Sequence, residues 1–322
     1  MKMKAIAYVA ALFAGLSLGL PAWAQSYPAK PVRIVVPYQA GQGTDVAARL
    51  CAEHLTKALG QQFIVDNKPG AGGNIGTADA ARSAGDGYTL LMGTVATQTM
   101  NEFLYPSVGY DSDKDFAPII LVGMLPMVIS ANPSFAGSTI PELIAAAKAQ
   151  PDKLNIALPS TTARIVFELL KARTGAPLFG VPYKGSATAM TEVMGGQVQL
   201  TIDTATASRG HVQGGKLKAL AITTLKSSEL LPGVKSVAEQ GVAGFEVTAW
   251  NALYAPRGTP KAIVDQLNAE VAKILAQAEV RQRLMQLGFE PAGGSPEQLA
   301  AYEKQERAKW EPLIKAAGLK GD

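Results

Sequence analysis

Residues 35–45 read VVPYQAGQGTD, and residues 67–76 read NKPGAGGNIG. Each tract follows a short apolar run, turns through several glycines and leads into a helical pattern. Glycine lets backbone N–H groups approach a ligand closely, and the start of a helix adds unpaired donors and a partial positive charge. Two such turns from neighbouring strands therefore predict a cradle for a small anion such as a carboxylate.

The sequence around these tracts alternates between strand and helix patterns. We predict strands at residues 32–37, 63–65 and 88–93, with helices at residues 44–59 and 75–83 between them. Short connections of this kind indicate a parallel sheet with right-handed crossovers, in which ligands lie beyond the carboxyl ends of the strands. Both glycine tracts, and Thr94 after the third strand, fall at those ends.

A second series of the same kind follows. Its predicted helices and strands occupy residues 140–149, 154–158, 161–174, 179–182, 187–194, 200–202 and 217–223. Two apolar stretches, residues 119–130 and 245–256, are expected to cross between the two series. Two long helices, 261–287 with an interruption near Ala278 and 296–317, close the chain.

These elements predict an α/β fold. Two α/β lobes are joined by two crossing strands, which is a hinged clamp. We expect the first lobe to comprise residues 25–124 plus 252–322 and the second lobe to comprise residues 125–251.

The first 24 residues are predicted to be a secretory signal peptide. Lys2 and Lys4 precede an apolar run, and Ala22-Trp23-Ala24 is typical of a cleavage site, so the mature chain should begin near Gln25. The remaining chain has no apolar stretch long enough to span a bilayer. The net charge of +4 comes from scattered basic residues, which argues against nucleic-acid binding.

Few residues are suited to catalysis or to cofactor binding. Val46 and Ile75 stand where a dinucleotide-binding loop needs its third glycine, so we expect no cofactor. Neither His54 nor His211 lies near a plausible nucleophile or in a metal-ligand spacing, so no catalytic residue and no metal site is predicted. Cys51 lies on an apolar helical face and is expected to be buried.

Several polar residues at strand ends have both a structural and a ligand-binding interpretation. Asp45 is either a first-turn acid that favours the helix dipole or a partner for an amino or hydroxyl group. The hydroxyls of residues 160–162 either cap a helix or donate to a carboxylate. Arg164 is either a solvated arginine or the partner of an anion held near that helix start. Asp203 ends a strand and could cap the next helix.

Several motifs, in order along nearly the whole mature chain, resemble one family. In addition to the two glycine tracts these are DGYTLL at residues 86–91, VPYKG at 181–185, GGQV at 195–198, LPGV at 231–234 and APRGTP at 255–260. They are similar to motifs of the extracytoplasmic solute receptors of the tripartite tricarboxylate transporter system, also called Bug receptors.

The resemblance implies a type II periplasmic-binding-protein fold and a periplasmic protein that binds a small organic carboxylate in the cleft between two lobes. It would deliver this ligand to integral-membrane subunits of the transporter. A monomer is the default expectation, and the presence of only two histidines argues against an enzyme. Carried onto this chain, the family's binding residues in the first lobe are Tyr38, Gly41, Gly43, Thr44, Asp45, Ala71 and Gly72, with Thr94 added from its strand end. Those in the second lobe are Ser160, Thr161, Thr162, Tyr183, Gly185, Asp203 and Thr204.

One loop departs from the family pattern. The family often has an Asn/Gly-rich loop here, whereas residues 157–164 read ALPSTTAR, which is about two residues shorter and carries Pro159 and Arg164. We predict that Arg164 holds a distal acid group of the ligand. Two other functions stay open from the sequence: an exported two-lobed hydrolase that acts on a small acid, and a ligand sensor for a signalling partner.

Overall fold

The computed structural model describes residues 27–316 and 318–321, and the predicted signal peptide lies outside these residues. Within them, ten strands form a curled mixed sheet, in the order β2-β1-β3-β9-β4-β7-β5-β6, with β8 and β10 also paired to β4. The strands are β1 (Val32–Val36), β2 (Phe63–Asn67), β3 (Thr89–Thr94), β4 (Phe116–Ala131), β5 (Asn155–Leu158), β6 (Phe179–Pro182), β7 (Leu200–Thr204), β8 (Lys218–Ile222), β9 (Thr248–Pro256) and β10 (Glu290–Gly293).

Most of the helices lie between these strands in the chain. Those described are α1 (Gly43–Leu59), α2 (Asn74–Ala81), α3 (Asn101–Leu104), α4 (Ile140–Ala149), α5 (Thr161–Thr174), α6 (Ser186–Met194), α7 (Ala205–Gln213), α8 (Lys261–Ala276), α9 (Ala278–Gln286) and α10 (Pro296–Ala316). None of the helices described is both long and apolar enough to cross a membrane.

The first three strands form the parallel unit that the glycine tracts predict. β1 pairs in parallel with both β2 and β3. One face of helix α1 packs against this sheet and is buried; it carries Ala47, Leu50, Cys51 and Leu55. The helix ends where Gly60 takes a left-handed conformation, with φ 71°, and its N–H donates to the carbonyl of Thr56. This arrangement brings the starts of α1 and α2 to the same edge of the sheet.

Strand β4 joins the two halves of the sheet. Its residues up to Pro126 pair with β9, and its residues from Met127 onwards pair with β7. β5 lies parallel to both β6 and β7, which completes the second half. The α/β clamp architecture predicted from the sequence is therefore confirmed, and the carboxyl ends of β1, β2, β5 and β7 open towards one gap.

Candidate functional site

A small pocket lies where the strand ends of the two halves meet. It has a volume of about 50 Å³, which suits a group of carboxylate size. The first residues of several helices form its wall: Gly43 and Thr44 of α1, Ser160 and Thr162 at α5, Ser186 of α6 and Thr204 before α7. We call this the inner pocket.

The helix starts around the inner pocket make it favourable for an anion. Gln42 precedes α1 and Gly185 precedes α6, and neither of these helices has a side-chain cap. In α5, by contrast, the hydroxyl of Ser160 caps the helix and accepts a hydrogen bond from the N–H of Ala163 at 3.2 Å. The N–H groups of the residues between Ser160 and Ala163 take no part in this cap. Each helix start contributes unpaired donors and partial positive charge. A carboxylate in the inner pocket would satisfy several of them together.

Asp203 supplies the carboxyl group of the inner pocket. Its Oδ1 accepts a hydrogen bond from the N–H of Thr204 at 2.7 Å, whereas its Oδ2 has no hydrogen-bond partner among the described residues. The side chain is buried, with the residue only 2% exposed. Burial raises the pKa of Asp203 to about 6, although the nearby polar groups of Ser186 and Thr204 oppose this. Asp203 is therefore the group here that can change from acceptor to donor near neutral pH.

Side chains from the first half hold the rest of the inner pocket in place. Asn251 of β9 donates to the hydroxyl of Thr44 at 3.1 Å. The hydroxyl of Tyr38 lies 3.2 Å from that of Thr94 and donates to the carbonyl of Gly72 at 3.3 Å. Tyr38 thus ties the end of β3 to the second glycine turn.

Asp45 fixes the two glycine tracts to each other. Its carboxylate accepts hydrogen bonds from Gly41 N–H at 2.9 Å, Arg49 Nε at 2.8 Å and Asn67 Nδ2 at 2.9 Å. Burial alone would raise the pKa of Asp45, but the hydrogen bonds from Arg49, Gly41 and Asn67 outweigh it and hold the pKa below its usual value. These contacts match the structural interpretation of Asp45, as the group that organises the first tract.

Two glycines of the second tract are favoured for physical reasons. Gly72 and Gly73 have φ values of 61° and 98°, in the left-handed region that L side chains rarely occupy, and Ala71 before them takes a φ of 47° despite its side chain. A Cβ on Gly72 would also lie 2.5 Å from the Tyr105 hydroxyl and 3.0 Å from Thr161 Oγ1. The turn therefore presents main-chain atoms, without a side chain, on the side that faces α5.

A larger cavity opens outward from the second tract. It has a volume of about 790 Å³ and lies between the glycine turns, the loop before α5 and the residues that follow β6. Its wall includes four cations and two acids: Arg164, Lys171, Lys184, Lys320, Asp152 and Glu168. We call it the outer cavity, and its excess of positive side chains favours anionic ligands.

The structure brings most of the predicted site residues to these two spaces. The outer cavity is lined by Tyr38, Ala71, Gly72, Ser160, Thr161, Arg164 and Tyr183. The inner pocket is lined by Tyr38, Gly43, Thr44, Thr94, Ser160, Thr162, Asp203 and Thr204. The predicted residues that line neither are Gly41, Asp45 and Gly185.

Gly185 lies at a contact across the cleft rather than in a cavity wall. A Cβ there would lie 2.8 Å from Gln39 Oε1 and 3.3 Å from Gln42 Nε2, both of the first glycine tract. Tyr183 lines the outer cavity, but its hydroxyl donates to the Glu192 carboxylate. Gly185 and Tyr183 therefore both lie where the two halves of the sheet face each other.

Among the lining residues that sequence reasoning missed are four polar ones that face the glycine tracts or the inner pocket: Gln39, Gln42, Ser186 and Asn251. Gln39 and Gln42 lie within the first glycine tract, where only the glycines and Asp45 gave a chemical signal. Ser186 begins a predicted helix and could have been included by the same argument as Ser160. Asn251 lies inside a strand and reaches the pocket through the pairing of β9 with β3 and β4, which sets it opposite Thr94.

The two histidines and the single cysteine lie away from both spaces. Neither His54 nor His211 lines the inner pocket or the outer cavity. Cys51 is fully buried in the core, and burial raises the pKa of its thiol to about 12. Among residues 27–316 and 318–321, no cluster of three or more His, Cys, Asp or Glu side chains is placed to hold a metal ion.

Comparison with known proteins identifies close relatives over the whole fold. The sequence model described as the tripartite tricarboxylate transporter family receptor matches residues 47–319. Protein BugT of Bordetella pertussis is 35% identical over 320 residues, which is 98% of each chain.

Two solved structures share the architecture and were determined with organic acids. Rpa4515 of R. palustris, whose structure is described as being with adipate, is 37% identical with a TM-score of 0.88 and covers 91% of this chain and 99% of its own. MatC of Rhodopseudomonas palustris, with bound malate, is 33% identical with a TM-score of 0.84 and covers 89% of this chain and 100% of its own. The likeness therefore extends over about nine tenths of this chain.

Proposed function

The chain belongs to the tripartite tricarboxylate transporter receptor family, and from this premise we propose that it is a periplasmic receptor for a small organic carboxylate. The observation that carries the proposal is the inner pocket, where the starts of α1, α5 and α6 surround a space of about 50 Å³. A site built from helix starts recognises negative charge without a reactive side chain. Adipate and malate, the acids bound by two relatives, are ligands of this class.

We propose that one carboxylate of the ligand enters the inner pocket and the rest of the ligand occupies the outer cavity. The main-chain N–H groups of Gly43 and Thr44 would hold the carboxylate from one side, and those of Thr161 and Thr162 from the other. The remaining predicted residues shape these two spaces, and Arg164 would contact a distal acid group in the outer cavity. Gly41, Asp45 and Gly185 would support the site through the glycine tracts instead of touching the ligand.

Closure of the cleft would couple ligand binding to a change of shape. A ligand that contacts both halves of the sheet stabilises the closed arrangement by its difference in affinity for the closed and open forms. We propose that the two lobes are residues 25–124 plus 252–322 and residues 125–251. The change of partner of β4 between Pro126 and Met127 supports a boundary near these positions.

Transport of the bound acid requires membrane subunits, which we propose as the partners of this receptor. The family is one of solute receptors, and we propose that this chain acts as a monomer without catalysing a reaction. The placement of His54 and His211 away from both cavities supports this proposal, because histidine is the most frequent general base of hydrolases.

A thermal-shift screen against organic acids, followed by calorimetry, tests the proposal. A receptor should be stabilised by about 2.7 kcal/mol when its ligand is present at about 100 times the Kd. Recovery of the unchanged acid after prolonged incubation separates binding from turnover. A panel of carboxylic acids that leaves the unfolding temperature unchanged, or steady consumption of a bound acid, would contradict the proposed function.

A further inference from the structure

The chain makes a defined reversal after its last helix. α10 ends at Ala316, and Gly318 has a φ of 61°. The N–H of Gly318 donates to the carbonyl of Lys315 at 3.2 Å, and the N–H of Leu319 donates to that of Ile314 at 3.2 Å. These bonds are typical of a helix end that turns through a left-handed residue. We call residues 318–321 the C-terminal strap.

The strap is attached to the first half of the fold beside the second glycine tract. The N–H of Gly321 donates to the carbonyl of Leu104 at 2.7 Å. The backbone of Gly321 lies directly on the ring of Tyr105, since a Cβ on Gly321 would be 2.3 Å from a ring carbon. The hydroxyl of the same tyrosine meets Gly72, where a Cβ would lie 2.5 Å from it. Tyr105 is thus placed between the strap and the ligand-binding turn.

The strap also reaches the second half of the fold. Leu319 packs against the main core and lines a groove of about 200 Å³ together with Ile165 and Leu169 of α5. α5 begins at Thr161, in the wall of the outer cavity. The strap therefore bridges the two sides of the cleft, with Leu319 at one side and Gly321 at the other.

Lys320 lies between these two attachment points and lines the outer cavity. The other cations of that wall, Arg164, Lys171 and Lys184, come from α5 and from the residues after β6, so the strap adds a cation from a different direction. A lysine ammonium is a compact charge on a flexible stem, which suits contact with a carboxylate whose position varies with ligand length.

We propose that Lys320 is a specificity-determining residue, which the C-terminal strap brings to the outer cavity to bind the ligand's second acid group. The inner pocket takes one carboxylate of any ligand, whereas Lys320 favours ligands that carry another. The receptor then prefers diacids to monoacids with the same number of carbons. This inference rests on the proposed function, because it requires an acid in the inner pocket.

Calorimetry on the full mature chain tests this with three pairs of acids: succinate and butyrate, glutarate and valerate, adipate and hexanoate. Wild type should bind at least one diacid more tightly than the monoacid with the same number of carbons. Lys320→Gln should weaken that diacid by about fivefold and leave the monoacid unchanged. Lys148→Gln, which removes an exposed lysine at the end of α4, should change neither.

A second variant moves the strap without removing the charge. Gly321→Val places its side chain against the Tyr105 ring and should reduce the diacid preference as Lys320→Gln does, with the far-ultraviolet circular dichroism unchanged. An unaltered ratio of diacid to monoacid affinity in Lys320→Gln would overturn the inference, as would a wild type that prefers monoacids or binds none of the three diacids. In those cases binding of any other carboxylic acid would leave the receptor function standing, whereas a protein that binds no acid at all would refute both.

Discussion

Replacing Asp203 by asparagine should change how stability depends on pH in the ligand-free protein. The carboxyl is buried with Oδ2 unpartnered, and its pKa is raised from 3.8 to about 6 by desolvation. A carboxyl whose folded-state pKa is raised contributes stability that is complete below pH 3.8 and is lost as the pH rises through about 6. Ionised Asp203 therefore destabilises the empty receptor at neutral and alkaline pH.

The pKa of Asp203 differs between 3.8 in the unfolded chain and about 6 in the folded protein. At about 1.36 kcal/mol for each pKa unit, the folded protein has lost about 3 kcal/mol of stability at pH 8 relative to pH values below 3.8. Asparagine keeps an oxygen that can accept from the N–H of Thr204 but cannot ionise. At pH 4, just above 3.8, about 0.6 kcal/mol of this stability is already lost, so the stability of Asp203→Asn minus that of wild type should be about 2.4 kcal/mol more favourable at pH 8 than at pH 4. Any cost of the buried amide itself is the same at both pH values and cancels from this comparison.

Urea-induced unfolding of both proteins between pH 4 and pH 8 measures this difference. Asp265→Asn, which removes an exposed carboxyl on α8, controls for the loss of one ionisable group. If the difference between Asp203→Asn and wild type stayed constant across the range, or moved in the opposite direction, the assignment of a desolvated acid to the inner pocket would be refuted.

Three further predictions concern the glycine tracts and the core. Gly72→Ala should weaken carboxylate binding, measured by calorimetry, about tenfold. Gly60→Ala is the control, because Gly60 has a similar φ of 71° but, in the described part of the chain, no neighbouring atom within 4 Å of an added Cβ. It should leave the affinity unchanged and lower the free energy of unfolding by about 1 kcal/mol. Asp45→Asn should destabilise the protein by about 2 kcal/mol at pH 7, because it breaks a charged hydrogen-bond network. Since the pKa of Asp45 is lowered in the folded protein, the difference in stability between variant and wild type, measured by urea unfolding, should shrink as the pH falls below about 4. Cys51 should resist a thiol reagent in native buffer and react fully in denaturant; labelling of the native protein at the denatured rate would contradict its burial.

The sequence predicted the fold well because its local signals agree with the tertiary structure. The predicted bounds of α5 and β6 match those observed, and β4 extends the predicted strand by only a few residues at its start. Ser160 caps α5 and Gly60 ends α1, so each helix boundary is specified by a residue within the helix or next to it. Patterns of this kind act over a few residues and are visible without a structure.

The parts that could not be predicted depend on contacts between distant residues. β10 is a four-residue strand that exists through pairing with β4, and its sequence has no strand pattern of its own. The π-helical turn Ala96–Met100 and the short α3 after it were not predicted either. Lys320 reaches the outer cavity because Gly321 rests on Tyr105, a contact 216 residues away in the sequence. The glycine tracts showed where an acid would bind, but not which other segments complete the wall.

Amide-resolved NMR of the isotope-labelled receptor, titrated with its tightest-binding organic acid, tests the central claim most directly. If main-chain N–H groups at the helix starts hold the carboxylate, the amide signals of Gly43, Thr44, Thr161 and Thr162 should shift strongly and saturate with the Kd found by calorimetry. An acid that binds with the same Kd while these four signals stay in place, with the large shifts elsewhere, would contradict the account.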